Sequence, residues 1–290
     1  MLVFQLPFLL TALVLCLVLV GIHSWLGYHV VRRGVLFVDL ALAQMAALGA
    51  SVATVAGLSD GPEWKSWAVS LGFALLGAAL LSTFRQKREK IPPEALIGIT
   101  YAGAIALSMI LLEKSATGTE EIKEMLVGTL LTVSWAHVCA AAALYAVVGI
   151  VHWFARRRLL LITEDPQEAR RRKLSIRLWD FLFYATFAVV VTTSVRVAGV
   201  LMVFSLLILP STAALLWRAR TGERLAFGWI FGGISCLGGL EAAARLDWPA
   251  GPSIILTMLV LFLVWAAVSR VTVRFGTWVP VPTAFRGSRP

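Results

Sequence analysis

The chain has 290 residues, 59% of them hydrophobic and 14% charged, with a mean hydropathy of +0.84 and a formal net charge of +10. That balance excludes an ordinary soluble domain and marks a polytopic membrane protein. The basic residues fall in short clusters between apolar runs and not along one polar face, so the charge reads as membrane topology and excludes nucleic acid as the partner.

A spanning helix needs about 20 mostly apolar residues, and nine segments meet that demand: about 7–30, 36–57, 66–84, 94–112, 128–154, 177–195, 198–217, 225–243 and 253–271. The first lacks a basic n-region and a small-residue cleavage site, so it is expected to remain as a membrane helix and not to be removed as a signal peptide. Placing the amino terminus outside puts the 31–35, 84–91, 156–177, 218–224 and 270–290 connections on one side, with 21 of the 26 Lys and Arg residues. Lys65, Lys114, Lys123, Arg196 and Arg245 fall on the other, together with the loop acids Asp60, Glu63, Glu113, Glu120, Glu121, Glu124 and Asp247. The basic side is therefore cytoplasmic. The expectation is one all-α transmembrane domain over residues 1–290, with about nine spans. Cys16, Cys139 and Cys236 are scattered in apolar sequence with no Cys-x-x-Cys pair. They read as small buried residues, not as a disulfide framework or a thiolate metal site.

The junction of the first two segments carries two arginines, one acid and one amide, in Arg32-Arg33-Gly34-Val35-Leu36-Phe37-Val38-Asp39-Leu40-Ala41-Leu42-Ala43-Gln44. Such groups at membrane depth face a protein interior or a substrate path. His23 lies inside the first segment, His29 near its cytoplasmic end and Glu94 at the start of the fourth. A His/Asp/Gln/Glu constellation built between helices from His23, Asp39, Gln44 and Glu94 is one reading. In the other, His29 and Asp39 join Arg32 and Arg33 in an interfacial charge cluster, and His23 is a hydrogen-bonded interior histidine beside Ser24. His137 and His152 read as interfacial residues, and Trp64, Trp67, Trp153, Trp217 and Trp248 as aromatic belts.

In Thr163-Glu164-Asp165-Pro166-Gln167-Glu168-Ala169-Arg170-Arg171-Arg172-Lys173, Asp165 suits the N-cap, Pro166 the first helical position, and Glu168 the return half of a capping box. Acids at the start and bases at the end complement the helix dipole. The segment is read as a short rigid cytoplasmic helix, with a solvated loop or an anionic-lipid contact as the alternative. Pro210, with Ser211 and Thr212, interrupts an apolar helix and frees backbone carbonyls, which fits either a pathway-lining or a structural kink. Gly232-Gly233 and Gly238-Gly239 permit close helix packing. Glu241 and Arg245 have i,i+4 spacing for an ion pair.

Six motifs occur in one order: Gly27-Tyr28-His29-Val30-Val31-Arg32-Arg33; Ile97-Gly98-Ile99-Thr100-Tyr101-Ala102; Leu126-Val127-Gly128-Thr129-Leu130-Leu131-Thr132-Val133-Ser134; Asp165-Pro166-Gln167-Glu168-Ala169; Val197-Ala198-Gly199 through Leu209-Pro210; and Asp247-Trp248-Pro249-Ala250-Gly251-Pro252. In these, and in length and topology, the chain resembles the permease subunits of ABC-type zinc, manganese and iron importers, the ABC-3 metal permeases. The resemblance implies a homodimeric or heterodimeric permease, a cytoplasmic ABC ATPase that binds ATP, and an external substrate-binding protein. It also implies that Asp165, Pro166, Glu168, Ala169 and Arg170 form the coupling helix that enters the ATPase. The chain itself has no Gly-x-x-x-x-Gly-Lys-Ser/Thr phosphate loop, so ATP is expected on the partner subunit and no cofactor on this chain.

Metal permeases of this type usually carry Asp and His four residues apart on the second helix. Here Leu40 and Gln44 stand at those positions, and Asp39 is about 140° around a regular helix from Gln44. The family's metal pair is therefore not carried over, and the ligands stay open. The resemblance implies an importer of divalent metal ions; a metal chelate or another small solute is the alternative cargo, and a secondary transporter or channel the alternative class. No convincing inverted repeat supports the secondary transporter, and the absence of His-Glu-x-x-His and Gly-x-Ser-x-Gly argues against an intramembrane enzyme.

Overall fold

The computed structural model describes residues 2–58, 61–84, 93–113, 128–217 and 220–275. In chain order these form α1 (Leu2–Arg33), α2 (Val38–Val55), α3 (Glu63–Phe84), α4 (Pro93–Leu112), a 3-10 turn (Leu130–Thr132), α5 (Trp135–Glu164), α6 (Pro166–Arg171), α7 (Ile176–Ala198), α8 (Val200–Leu215), α9 (Thr221–Leu246) and α10 (Ala250–Phe275). No strand occurs among the described residues. Eight of these helices are long and apolar enough to cross a membrane, and α8 is a shorter apolar helix. The fold is that of an all-α polytopic membrane protein. Lys114, Lys123, Asp60, Glu120, Glu121 and Glu124, and the 276–290 tail, lie outside the described residues.

Two expected segments are redrawn. Residues 128–134 precede the fifth span instead of opening it. Gly128 has φ +75°, and a Cβ there would collide with the backbone of residues 197–199; Thr129 N donates to Val197 O at 2.9 Å. The helix starts only after Ser134, whose hydroxyl caps it by accepting from His137 N. It then runs 30 residues to Glu164, about 45 Å at 1.5 Å per residue, so it outruns a membrane core of about 30 Å and ends against α6. The expected 198–217 span is broken at Gly199 (φ +78°), leaving α8 with 16 residues. Pro210 sits inside α8, buried, and the helix continues through it.

α1 forms the centre, packing on α5, α8 and α9, while α2, α3, α4 and α7 form a second group that meets α5 and α8 through α7, and α8 through α2. Gly27 lets α1 and α8 touch backbone to backbone, since a Cβ there would overlap the Leu207 carbonyl and Ser211 Oγ. Leu15, Leu19, Leu26, Phe183, Phe187, Met202, Leu206 and Leu207 fill the interior. In hydrocarbon their gain comes from close packing more than from leaving water. Phe154, Ile99 and Leu263 point outward, as lipid-facing residues do. Trp64, Trp153, Trp217 and Trp248 are exposed, whereas Trp67 turns inward and donates Nε1–H to Thr193 Oγ1 at 3.3 Å. Arg245 Nε donates to Glu241 Oε1 at 2.6 Å. Cys16 and Cys236 are buried, but Cys139 is exposed on α5, where a small, weakly polar thiol is tolerated on an outer face.

Candidate transport pathway and coupling site

At the junction after α5, Asp165 Oδ1 accepts from Glu168 N at 2.9 Å and Pro166 occupies the first turn of α6. The reciprocal half of the expected capping box is not made. Glu168 instead takes Arg172 Nε at 2.9 Å, with Arg171 at 3.8 Å, because the arginines one turn on offer it charge-assisted bonds. Lys173 adopts φ 55° and Leu174 N donates back to Ala169 O at 3.1 Å, which closes the helix in a left-handed turn. Ala169 is fully buried against the protein body. Gln167, Arg170, Arg171 and Arg172 are exposed, so the outward face of α6 is basic.

The last two residues of α5, Thr163 and Glu164, are tied into the bundle. Tyr28 O–H donates to Glu164 Oε1 at 2.6 Å, and Thr221 O–H to the same oxygen at 3.3 Å. Thr163 Oγ1 accepts from Arg33 Nε at 2.9 Å and bonds His29 Nδ1 at 2.7 Å. Arg33 also donates to Asp180 Oδ1 at 2.9 Å, both side chains almost fully buried, and its guanidinium lies 4.3 Å from the Phe183 ring centre. One turn deeper, Trp25 Nε1–H donates to His152 Nδ1 at 2.9 Å, and His152 Nε2 meets Thr186 Oγ1 at 2.7 Å. Indole N–H is only a donor, so His152 Nδ1 accepts and its Nε2 carries the hydrogen.

This network corrects two expectations. His152 is an interior residue linking α1 and α7, not an interfacial one, because α5 extends ten residues past the expected 154. The charge cluster around Arg33 is buried, and its acid is Asp180 of α7 in place of Asp39; Arg32 is exposed. Asp180, Tyr28, Thr163 and Glu164 were missed in the sequence. A signal existed for the first: an acid inside an apolar span needs a buried partner.

The pathway candidates sit on four helices, α1, α2, α4 and α8. His23 is fully buried, with Nδ1 on Leu19 O at 2.8 Å and Nε2 without a partner among the described residues. Asp39 is buried in the first turn of α2 with no side-chain partner for its carboxylate among the described residues; Gln44 is buried with Oε1 unpartnered among the same residues. Glu94 is exposed at the start of α4. Among the described residues, no three His, Cys, Asp or Glu side chains are grouped to hold a metal.

The ends of α2, α3, α4, α5 and α7 remote from α6, with residues 129–133, line a vestibule of about 850 Å³. Ala46, Ala47, Ala50 and Ser51 give it one wall. At about 100° per residue, Gln44 lies within about 20° of Ser51 and two turns deeper, and Asp39 stands in the same relation to Ala46. Both unpartnered groups thus continue, below the vestibule, the stripes of α2 that line it.

Residues 5–269 match the ABC 3 transport family. The chain belongs to that family. Curated relatives include the "Probable iron transport system membrane protein" of Haemophilus influenzae, 25% identical over 93% of this chain and 97% of the relative. The manganese import system permease protein ScaB of Streptococcus parasanguinis is 23% identical over 90% of each chain. Among solved structures, PsaBC from Streptococcus pneumoniae in complex with Fab superposes with a TM-score of 0.76 at 22% identity, over 91% of this permease and 95% of that chain, a likeness of fold. The permease is a multi-pass membrane protein of a transport family.

Proposed function

We propose that the permease is the membrane-spanning subunit of an ATP-driven importer of divalent metal ions, with zinc, manganese and iron as candidate cargo, in the bacterial cytoplasmic membrane. Two permease copies enclose the pathway, an external binding protein delivers the ion, and a cytoplasmic ABC ATPase hydrolyses ATP. The observation that carries this reading is the seat of α6. A six-residue helix, capped by Asp165 and closed at Lys173, presents arginines outward, while the last two residues of α5 are bonded to α1 and α9. A push on α6 therefore reaches α1, the central helix, through Thr163 and Glu164 without an intervening flexible loop. Asp165, Pro166 and Glu168 shape the helix, Arg170 faces the ATPase, and Ala169 seats the helix on the permease. Gln44 and Asp39 line the route beneath the vestibule, whose own lining does not include Pro210, His23 or Glu94.

A second reading, import of a metal chelate, has one feature in its favour: Leu40 and Gln44 stand where the family resemblance implies a carboxylate and an imidazole, and an amide is a weak transition-metal ligand. Uptake into proteoliposomes holding the complete complex separates the two. ATP-dependent accumulation of free manganese, zinc or ferrous ion supports the first reading. Accumulation only of chelated metal supports the second, and accumulation without ATP overturns both.

A further inference from the structure

The mouth of the vestibule carries a pair of side chains with ligand chemistry. Glu63 opens α3 and His137 lies in the first turn of α5; both line the cavity. His137 Nε2 stands 3.7 Å from Glu63 Oε2, with the side chains 55% and 80% exposed. That separation is too long for a hydrogen bond. Two ligands each about 2.0–2.2 Å from a shared ion stand about 3–4 Å apart, depending on the angle at the metal. The other ring nitrogen is already held: His137 Nδ1 meets Ser134 Oγ at 2.7 Å. With Nδ1–H donating there, the Nε2 lone pair is aimed at the glutamate side, the arrangement by which a second-shell hydrogen bond orients a metal-binding imidazole.

The cavity wall behind the pair supplies oxygen. Thr192 is buried, lines the vestibule, and its Oγ1 has no partner among the described residues. Ser70 and Ser51 line the same wall. Arg196 also reaches the cavity, so its charge offsets that of Glu63 and lowers the affinity of the mouth for any cation. Two protein ligands, water in the remaining positions and a neighbouring guanidinium describe a site that takes an ion and releases it, not one that stores it.

We propose that Glu63 and His137 form a two-ligand capture site for a divalent transition-metal ion at the external mouth, from which the ion passes inward to the hydroxyls of Thr192, Ser70 and Ser51. The inference rests on the importer reading and adds a site to it. The test uses the full-length permease in nanodiscs, titrated with manganese and followed by loss of the free-ion electron paramagnetic resonance signal. Uptake of the same ion by the complete complex in proteoliposomes runs in parallel. Wild type should bind one ion per chain at this site, E63Q and H137Q should each weaken it at least tenfold, and E63H should tighten zinc binding. Both neutralising variants should slow uptake at limiting manganese three- to tenfold. E241Q, which neutralises another acid on the external side, should bind as wild type does. Unchanged binding in both E63Q and H137Q, with the wild-type complex still transporting manganese, would overturn the capture site and leave the importer reading standing. Absence of any metal uptake by the wild-type complex would overturn the importer reading and this site with it.

Discussion

The two ends of α5 are built by opposite rules. At the cytoplasmic end, Thr163 and its neighbours His29, Arg33 and Asp180 are buried and bonded to one another, and His152 bridges Trp25 and Thr186. At the external end, His137 and Glu63 are exposed, loosely paired and set on the rim of a cavity. Breaking a buried ionic network is costly, so the cytoplasmic end behaves as a rigid link. Exposed pairs contribute little to stability, so the external end is free to exchange its partners. One helix thereby joins a buried, bonded end to an exposed, loosely paired one.

The largest expected effect tests the stiff end. Asp180→Ala leaves the Arg33 guanidinium buried without its carboxylate and should cost about 3–5 kcal/mol, read as a lowered melting temperature of the detergent-solubilised protein. A melting temperature equal to that of wild type would show that the pair is not a structural clamp. Thr163→Val removes one hydroxyl that serves both Arg33 and His29, at an expected cost of about 1–3 kcal/mol. It should also reduce metal transported per ATP hydrolysed in the assembled complex more than it reduces hydrolysis. Equal losses in both rates would place Thr163 outside the transmission. Trp25→Phe deletes the indole donor to His152 and should cost about 1 kcal/mol in the same melting assay. Gln44→Ala is the smallest for stability, within about 1 kcal/mol because its oxygen has no partner to lose, yet uptake should change. Uptake indistinguishable from wild type would remove Gln44 from the pathway.

Much of this contrast was legible in the sequence, and the rest was hidden for physical reasons. Hydropathy placed the spans, and Asp165-Pro166 marked α6, because length and capping are local properties. The start of α5 was misplaced because residues 128–134 adjoin the span without a charged break; the backbone contact of Gly128 with residues 197–199, the Thr129–Val197 bond and the Ser134 cap hold them out of it. His152 read as interfacial because Arg156–Arg158 follow it, although α5 carries those arginines onward as helix. Asp180, Thr163 and Tyr28 come from three different helices, so no sequence spacing connects them to Arg33 or Glu164. The Glu63–His137 pair is invisible for the same reason: its members are separated by two membrane helices.

The central claim, that ATPase motion enters through the basic face of α6, is tested most directly by ATP-driven metal uptake in the complete complex carrying Arg170→Glu and Arg171→Glu together. Both residues are exposed on α6, so the melting temperature of the isolated permease should stay at the wild-type value. The ATPase should no longer co-isolate with this variant, or should co-isolate but hydrolyse ATP without moving metal. Wild-type co-isolation together with wild-type ATP-driven uptake would contradict it.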